Sequence, residues 1–238
     1  MNELALFAGA GGGILGGKLL GWRTVCAVEW EPYAASVLVQ RQNDGILPPF
    51  PIWDDVQTFD GRPWRGIVDV VSGGFPCQDI SAAGKGAGID GERSGMWREM
   101  ARIIGQVRPQ YVYVENSPLL VGRGLAVVLG DLAAMGFDAE WACVSAGNLG
   151  APHQRDRIWL VGHSSSIGQP ESYLWVRQQP TQWKKHPGTW NGRRVDQPGI
   201  VGVVDGVANC MDRLKAIRNG QVPAVAATAW KLLTEEMQ

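Results

Sequence analysis

The sequence predicts an α/β protein whose sheet is mostly parallel and covered by helices on both faces. Short, nearly all-apolar runs predict strands at 4–7, 24–28, 67–71, 111–114, 139–144 and 157–161. Helical spacing between them predicts helices at 32–41, 94–107 and 122–135, and two more helices are predicted near the C-terminus at 208–216 and 222–237. Such alternation, with strands apolar along their whole length, is typical of sheets buried on both faces. Ligands bind to these sheets at the carboxyl ends of the strands.

Length and composition fit one globular domain with a small appendage. The 238 residues are 45% hydrophobic and 19% charged, which is enough apolar material for a core and excludes a disordered protein. The formal net charge of −1 argues against a uniformly basic protein that wraps nucleic acid. Charge is uneven, however: Met1 to Glu140 has 11 basic and 16 acidic residues (−5), and Trp141 to Gln238 has 11 and 7 (+4). A polyanion is therefore expected to contact the C-terminal part.

Cysteine usage and hydropathy predict a reduced, cytoplasmic, soluble protein. The four cysteines lie far apart without a C-x-x-C pair, which argues against a zinc site or a disulfide framework. No run of eighteen apolar residues and no signal-like segment is present. We therefore expect no bound metal and no membrane partner.

A glycine-rich turn follows the first strand and leads into a helix. Gly11, Gly13 and Gly16 match the dinucleotide-binding pattern, and Glu29 ends the next strand. An acidic side chain there can accept both ribose hydroxyls of a nucleoside cofactor, and Trp30 could cover its adenine. NAD(H), FAD and S-adenosylmethionine all use this plan, and a tight turn without a ligand is the remaining interpretation.

Three further strand ends carry reactive or charged groups. Cys77 follows the strand at 67–71 in a loop stiffened by Pro76, a position suited to a nucleophile. Glu115 closes the strand at 111–114 and puts a carboxyl group at the same edge. Arg155 and Arg157 precede the strand that ends at Val161, although a solvated, salt-bridged turn would look the same.

The ordered motifs resemble those of the C5-cytosine DNA methyltransferases. They are Phe7-Ala-Gly-Ala-Gly-Gly, Gly74-Phe-Pro-Cys-Gln, Glu115-Asn-Ser, Gln154-Arg-Asp-Arg and Arg218-Asn-Gly-Gln-Val-Pro. The resemblance spans nearly the whole chain except about 163–205, and it implies an S-adenosylmethionine-dependent methyltransferase (Rossmann-like) fold with a small, irregular target-recognition insertion. The implied division is a cofactor-binding and catalytic domain (1–162), a short target-recognition region (163–205) and C-terminal helices that pack back on the first domain (206–238).

The resemblance also implies a mechanism. The thiolate of Cys77 adds to C6 of cytosine, Glu115 hydrogen-bonds N3, and Arg157 holds the O2 carbonyl. A water held near Asn116 is one candidate for removing the C5 proton, and Arg155 joins the catalytic set. Because this chemistry cannot occur inside a stacked duplex, the base must be flipped out.

Cofactor and substrate residues carry over in the same way. The cofactor residues implied are Phe7, Gly9, Ala10, Gly11, Glu29, Trp30, Asp55, Val56, Pro76, Asn219 and Val222. The substrate residues implied are Phe75, Pro76, Gln78, Ser81, Gln154, Lys184, Lys185, Arg193 and Arg194. For the last four, a disordered loop with incidental charges is the alternative.

Three features depart from the family pattern. Arg218 stands where most relatives have glycine, the recognition region is short, and Ala83 replaces a second serine. The short recognition region implies a small DNA footprint. The first puts cofactor affinity in doubt, because the Arg218 side chain could crowd the pocket.

We expect a DNA (cytosine-5)-methyltransferase that uses S-adenosylmethionine and acts as a monomer on double-stranded DNA. Its compactness suggests a phage or orphan member of a restriction-modification setting, in the cytoplasm of a bacterial or phage-infected cell. The alternatives are a tRNA cytosine-5 methyltransferase, an inactive DNA-binding relative and, more distantly, an NAD-dependent oxidoreductase, in which the Cys77 motif has no place.

Overall fold

The computed structural model describes residues 1–76, 95–164 and 219–235. Its strands are β1 (Asn2–Leu6), β2 (Arg23–Val28), β3 (Ile52–Trp53), β4 (Val70–Gly73), β5 (Tyr111–Asn116), β6 (Phe137–Ser145) and β7 (Asp156–Ser164). Its α-helices are α1 (Gly12–Leu19), α2 (Pro32–Asn43), α3 (Gly95–Val107), α4 (Leu120–Arg123), α5 (Leu125–Ala134) and α6 (Pro223–Glu235). Single 3₁₀ turns lie at Arg62–Trp64 and Gly147–Leu149.

The strands form one sheet in the order β3-β2-β1-β4-β5-β7-β6. The first five strands are parallel, and β7 is antiparallel to both β5 and β6. The predicted fold class, a mostly parallel sheet, is therefore confirmed. The strand order reverses at β1, because β2 and β3 lie on one side of it and β4 and β5 lie on the other. Such a switch point is where open α/β sheets bind ligands.

Apolar side chains alternate between two faces of the sheet. In β5, Val112 and Val114 belong to one core cluster, which also contains Ile103 of α3 and Leu132 of α5. Tyr113 belongs to a second cluster on the opposite face, together with buried side chains of α6. Helices thus cover both faces, and β5 is buried in the middle with its carboxyl end at the edge where the functional side chains collect.

The elements differ from the predicted ones in a few places. The helix predicted at 122–135 is two helices that meet at Gly124. The two-residue strand β3 was not predicted, because a pair of residues has no readable period. β7 extends through Ser164, past the predicted boundary at 162, and the helix predicted at 208–216 lies outside the described residues.

The C-terminal part of the described chain contains one more predicted helix. The helix predicted at 222–237 is observed as α6. Within the three described ranges, no helix combines the length and the apolar character needed to cross a membrane.

Candidate active site

The glycine-rich loop connects β1 to α1 and carries unusual backbone angles. Phe7 has a φ of 52°, which a residue with a side chain rarely adopts, and Gly11 has a φ of 84°. The Gly11 N–H donates to the Ala8 carbonyl at 2.9 Å and so closes the turn. A Cβ atom at Gly11 would lie 2.7 Å from Leu38 Cδ2, so α2 packs directly against the loop. Sterics and backbone angle both require glycine there.

Glu29 ties this loop to the end of β2. Its carboxylate accepts hydrogen bonds from the backbone N–H groups of Gly9 at 2.6 Å and Glu31 at 2.7 Å, and the side chain is only 8% exposed. The neighbouring Trp30 is 70% exposed, which is unusual for so large an apolar ring. A fixed carboxylate and a free indole at one strand end suit the ribose and adenine contacts that the sequence predicts.

The other predicted cofactor residues fall into two groups. Asp55 lies just after β3, partly exposed, and accepts from the Gln57 N–H at 2.9 Å. Val56, in contrast, is 7% exposed and its side chain belongs to the core. The Val56 side chain therefore packs inward, and the cofactor contact at this residue stays a prediction for its main chain.

A cavity of about 40 Å³ lies between the glycine loop and the ends of β1, β4 and β5. Its walls include Phe7, Gly9, Glu115 and Asn219, four residues that the sequence predicted for the site. Gly220 and Gln221 complete the wall from the C-terminal side. The last motif of the sequence therefore packs back beside the first.

Glu115 and Arg157 form a largely buried ion pair at the carboxyl end of β5. Arg157 Nε lies 2.7 Å from Glu115 Oε1, with 28% of the arginine side chain and 9% of the glutamate side chain exposed. Burial raises the pKa of Glu115 above its ordinary value. Both Arg157 and Arg155, and hydrogen bonds from Arg157 and Gln221, act against that rise in pKa. Burial and the neighbouring charges therefore act in opposite directions on the pKa of Glu115, and burial has the larger effect.

Arg155 holds the C-terminal segment. Its Nη2 donates to the Gly220 carbonyl oxygen at 2.5 Å. Burial, and then the neighbouring Arg157, lower the pKa of Arg155, although a guanidinium remains a cation in proteins. Arg155 therefore brings positive charge to Glu115 and fastens residues 219–222 beside it.

Asn116 anchors the segment that leads to Cys77. Its Nδ2 donates to the Phe75 carbonyl at 3.2 Å and its Oδ1 accepts from the Ser117 N–H at 2.7 Å. The Phe75 side chain is 3% exposed and packs against Trp97, with 5.4 Å between ring centroids. The Phe75 ring therefore faces the core, and the substrate contact at this residue stays a prediction. The exposed Pro76 is the last described residue before Cys77.

Several predicted residues lie outside the described part of the chain, and their predictions stand untested. They are Cys77, Gln78, Ser81, Lys184, Lys185, Arg193 and Arg194, together with Arg218 and Ala83. Gln154 is described and exposed, next to Arg155. In residues 1–76, 95–164 and 219–235 no group of three or more His, Cys, Asp or Glu side chains is placed to hold a metal ion.

Sequence reasoning missed Gln221. Its side chain hydrogen-bonds Glu115, and it lines the cavity beside the glycine loop. The sequence offered one weak signal, a polar residue inside a motif whose neighbours Asn219 and Val222 were already singled out. Nothing in the sequence indicated that it would meet Glu115, more than a hundred residues away.

The sequence profile described as C-5 cytosine-specific DNA methylase matches residues 1–196. Among curated relatives, the Type II methyltransferase M.PspPI of Psychrobacter sp. (strain TA137) is 34% identical over 174 residues, which are 71% of this chain and 41% of that protein. M.HpaII of Haemophilus parainfluenzae is 34% identical over 170 residues, 68% of this chain and 46% of that protein. The matches thus cover less than half the length of these two relatives.

Solved structures resemble the fold at low sequence identity. The Dnmt2 methyltransferase of S. pombe has a TM-score of 0.56 at 20% identity, covering 71% of this chain and 52% of that one. The Entamoeba histolytica methyltransferase EhMeth has a TM-score of 0.59 at 15% identity, covering 76% and 57%. These likenesses support the fold alone.

Proposed function

Because this chain belongs to the C-5 cytosine-specific DNA methylase family, we propose that it transfers a methyl group from S-adenosylmethionine to carbon 5 of a cytosine in double-stranded DNA. The observation that carries the proposal is the buried Glu115–Arg157 pair beside the glycine-loop cavity. An acid and a fixed cation at that edge suit a reaction that must activate a neutral ring.

The cofactor side fits a nucleoside that carries an amino acid. Gly9 lines the cavity, the Glu29 carboxylate lies at the end of β2, and Trp30 offers an exposed ring for adenine. Asp55 would accept from the adenine amine, and Asn219 and Val222 would close the pocket. When bound, S-adenosylmethionine supplies an electrophilic methyl group.

Cys77 is the proposed nucleophile. Its sulfur forms a bond to C6 of the cytosine as the ring takes a proton at N3, which makes C5 electron-rich. Once C5 carries the methyl group, a water held near Asn116 takes the C5 proton, the C5–C6 double bond re-forms, and the bond from sulfur to C6 breaks to release the thiolate. The proton on N3 returns to the Glu115 carboxylate. Asn116 supports this role, because it holds the Phe75 carbonyl two residues before the cysteine.

Glu115 is the proposed partner of N3, and Arg157 of the O2 carbonyl. Burial favours the protonated carboxyl that N3 requires, whereas the paired Arg157 favours the ionised form that is left after donation. Arg155 acts indirectly rather than on the base, because its guanidinium donates a hydrogen bond to the Gly220 carbonyl oxygen. We assign it the positioning of the C-terminal segment.

DNA recognition is assigned mainly to residues outside the described ranges. We propose residues 163–205 as the target-recognition region, where Lys184, Lys185, Arg193 and Arg194 would contact phosphates and guanine edges. Gln78, Ser81 and the exposed Gln154 would contact the flipped nucleotide or the strand next to it. With few residues available for contacts, the affinity for DNA should be modest, and because the proposed phosphate contacts are cationic it should fall as the salt concentration rises.

Methyl transfer with labelled S-adenosylmethionine tests the proposal. Wild type and Cys77→Ser are each incubated with duplex DNA and, separately, with tRNA. We expect label on DNA with the wild type and none with Cys77→Ser. Label on neither nucleic acid would overturn the proposed methyltransferase activity. Label on tRNA alone would overturn DNA as the proposed substrate. Activity of Cys77→Ser equal to that of the wild type would overturn the proposed role of Cys77 as nucleophile. Bisulfite sequencing of the labelled DNA then gives the target sequence.

A further inference from the structure

Gln221 lies between two halves of the site: the cofactor half around the glycine loop, and the base half around Glu115 and Arg157. It borders the cavity of the glycine loop and also a narrower cleft lined by Arg155, Arg157 and Trp159. Glu115 borders both of these as well. The mechanism above gives Gln221 no task, although its side chain touches the proposed acid.

Three glycines make room for Gln221. A Cβ atom at Gly12 would overlap the Gln221 backbone, and one at Gly13 would overlap its side-chain oxygen Oε1. A Cβ atom at Gly74 would lie 2.7 Å from Glu115 Oε2 and 3.2 Å from Gln221 Nε2. Gly12 and Gly13 lie in the first turn of α1 and Gly74 follows β4, so two separate segments of the chain border the same slot.

The amide of Gln221 is oriented within this slot. Its oxygen faces Gly13 in the first turn of α1, and its nitrogen shares the Gly74 position with Glu115 Oε2. Arg157 occupies the other carboxylate oxygen, Oε1. The Glu115 carboxyl group is therefore held by a guanidinium on one oxygen and flanked by an amide donor next to the other.

The backbone around Gln221 is fastened on both sides. The Gly220 carbonyl accepts from Arg155. On the other side, α6 packs so closely on α1 that a Cβ at Gly16 would lie 2.7 Å from the Ala226 side chain. Gln221 therefore has a fixed main chain from which its amide reaches Glu115.

We propose that Gln221 is a positioning residue for Glu115, whose amide orients the Glu115 carboxyl group toward the target base and couples it to the glycine loop of the cofactor site. This inference rests on the proposed function for the role of Glu115, but the contact itself does not. The charged or titratable groups that face Glu115 within the described residues are Arg155 and Arg157, with Tyr113 on the same strand. Gln221 differs from these three groups because its amide is a neutral hydrogen-bond donor.

The variants separate the hydrogen bond from the shape of the side chain. Gln221→Met keeps the length and removes the donor, and Gln221→Glu keeps the shape and sets a second carboxyl group beside Glu115. Gln40→Met is the matched control, because Gln40 also donates to a carboxylate, Asp44 Oδ1 at 2.7 Å, but on the exposed face of α2.

The first readout is the titration of Glu115 by NMR of protein labelled with ¹³C in its glutamate carboxyl groups, with the signal assigned through Glu115→Gln. Loss of a donor to the ionised form should raise the pKa of Glu115 by about one unit in Gln221→Met. Gln221→Glu should raise it further, since like charges oppose each other. No change should occur in Gln40→Met. An unchanged titration in both Gln221 variants would overturn the inference.

The second readout is the pH profile of methyl transfer. We expect Gln221→Met to lower kcat about tenfold and to move the alkaline limb of the profile to higher pH, with KM for the cofactor changed less than threefold. A fall in kcat with an unmoved profile would overturn the inference and leave a packing role. Absence of methyl transfer by the wild type would overturn the proposed function alone, because the NMR titration does not depend on turnover.

Discussion

The two halves of the site are built from different material. The cofactor half is mainly backbone: the turn at Gly11, the left-handed Phe7, and the main-chain N–H groups that hold Glu29. The base half is made of side-chain charge, with Glu115 paired to Arg157 and Arg155 nearby. One half depends on where atoms can fit, and the other depends on how protons and charges are distributed.

This difference predicts two kinds of response to substitution. Changes in the glycine loop of the cofactor half should act through space and backbone angle, and should weaken ligand binding and stability together. Changes in the base half should act on the reaction and on its pH dependence, while ligand binding is retained.

Glu115→Gln should give the largest loss. It keeps the shape of the side chain but removes the proton donor for N3, so kcat should fall about a thousandfold. The affinity for S-adenosylhomocysteine, measured by calorimetry, should change less than threefold. If affinity falls as much as kcat, the carboxyl group serves the cofactor, and the separation between the two halves is wrong.

Gly11→Ala should damage the cofactor half. The new Cβ would meet Leu38 Cδ2 at 2.7 Å and the backbone would keep a φ of 84°, so we expect a loss of about 1–3 kcal/mol in the free energy of unfolding. Cofactor affinity should fall at least about tenfold. Urea denaturation and calorimetry measure both quantities.

Gly45→Ala is the matched control for Gly11→Ala. Gly45 also has a positive φ, 69°, but a Cβ there meets nothing within 4 Å. It should cost about 1 kcal/mol through backbone strain alone, with cofactor affinity unchanged. Equal effects on affinity from the two variants would contradict a specific role for the loop.

Trp30→Ala should weaken cofactor binding about tenfold, because stacking of an aromatic side chain on a base contributes about 1–3 kcal/mol. Trp30→Phe keeps a ring and should lose less than threefold. Since Trp30 is 70% exposed, neither variant should change the free energy of unfolding by more than about 0.5 kcal/mol. An unchanged dissociation constant in Trp30→Ala would place the adenine elsewhere.

Glu3→Gln should have the smallest effect, and only on stability. Glu3 is 1% exposed under the cofactor half, where the hydroxyl groups of Ser72 and Thr24 donate to it at 2.6 and 2.7 Å. Burial raises its pKa, and those hydrogen bonds oppose the rise. The folded protein then binds the proton more tightly than the unfolded one, so the free energy of unfolding should fall as pH rises above the ordinary value of 4.5.

Denaturation of wild type and Glu3→Gln across that pH range measures this effect. The variant should show a flatter pH dependence and should gain stability relative to wild type as pH rises. Its methyl transfer should stay within twofold of wild type, because Glu3 is enclosed. A large loss of activity would mean that the cofactor half also works through charge.

The sequence predicted the sheet and the strand ends because both rest on short-range signals. The strand at 111–114 is apolar and is followed at once by Glu115 and Asn116, so their place at the sheet edge follows from chain order alone. Glycine spacing before α1 predicted the loop for the same reason. Helix breaks and the two-residue strand β3 were beyond this approach, since they depend on packing at single residues such as Gly124.

Contacts between distant segments could not be predicted. The bond from Arg155 to Gly220 and the place of Gln221 beside Glu115 result from the packing of α6 against α1 and the sheet. The inward side chains of Phe75 and Val56 were missed because a motif names a residue without giving the direction of its side chain. Phe75 turns inward because Trp97 of α3 offers it an apolar partner.

Covalent capture with 5-fluorocytosine DNA tests whether Cys77 is the nucleophile that attacks C6 of the target base. Fluorine at C5 replaces the proton that must leave, so the bond between sulfur and C6 cannot break once the base is methylated. With cofactor present, wild-type protein should form an adduct of protein plus DNA by intact mass, mapped to Cys77 by peptide analysis. Cys77→Ser should form none, and Glu115→Gln should form it far more slowly. An adduct on another residue, or DNA methylation without any adduct, would contradict the account.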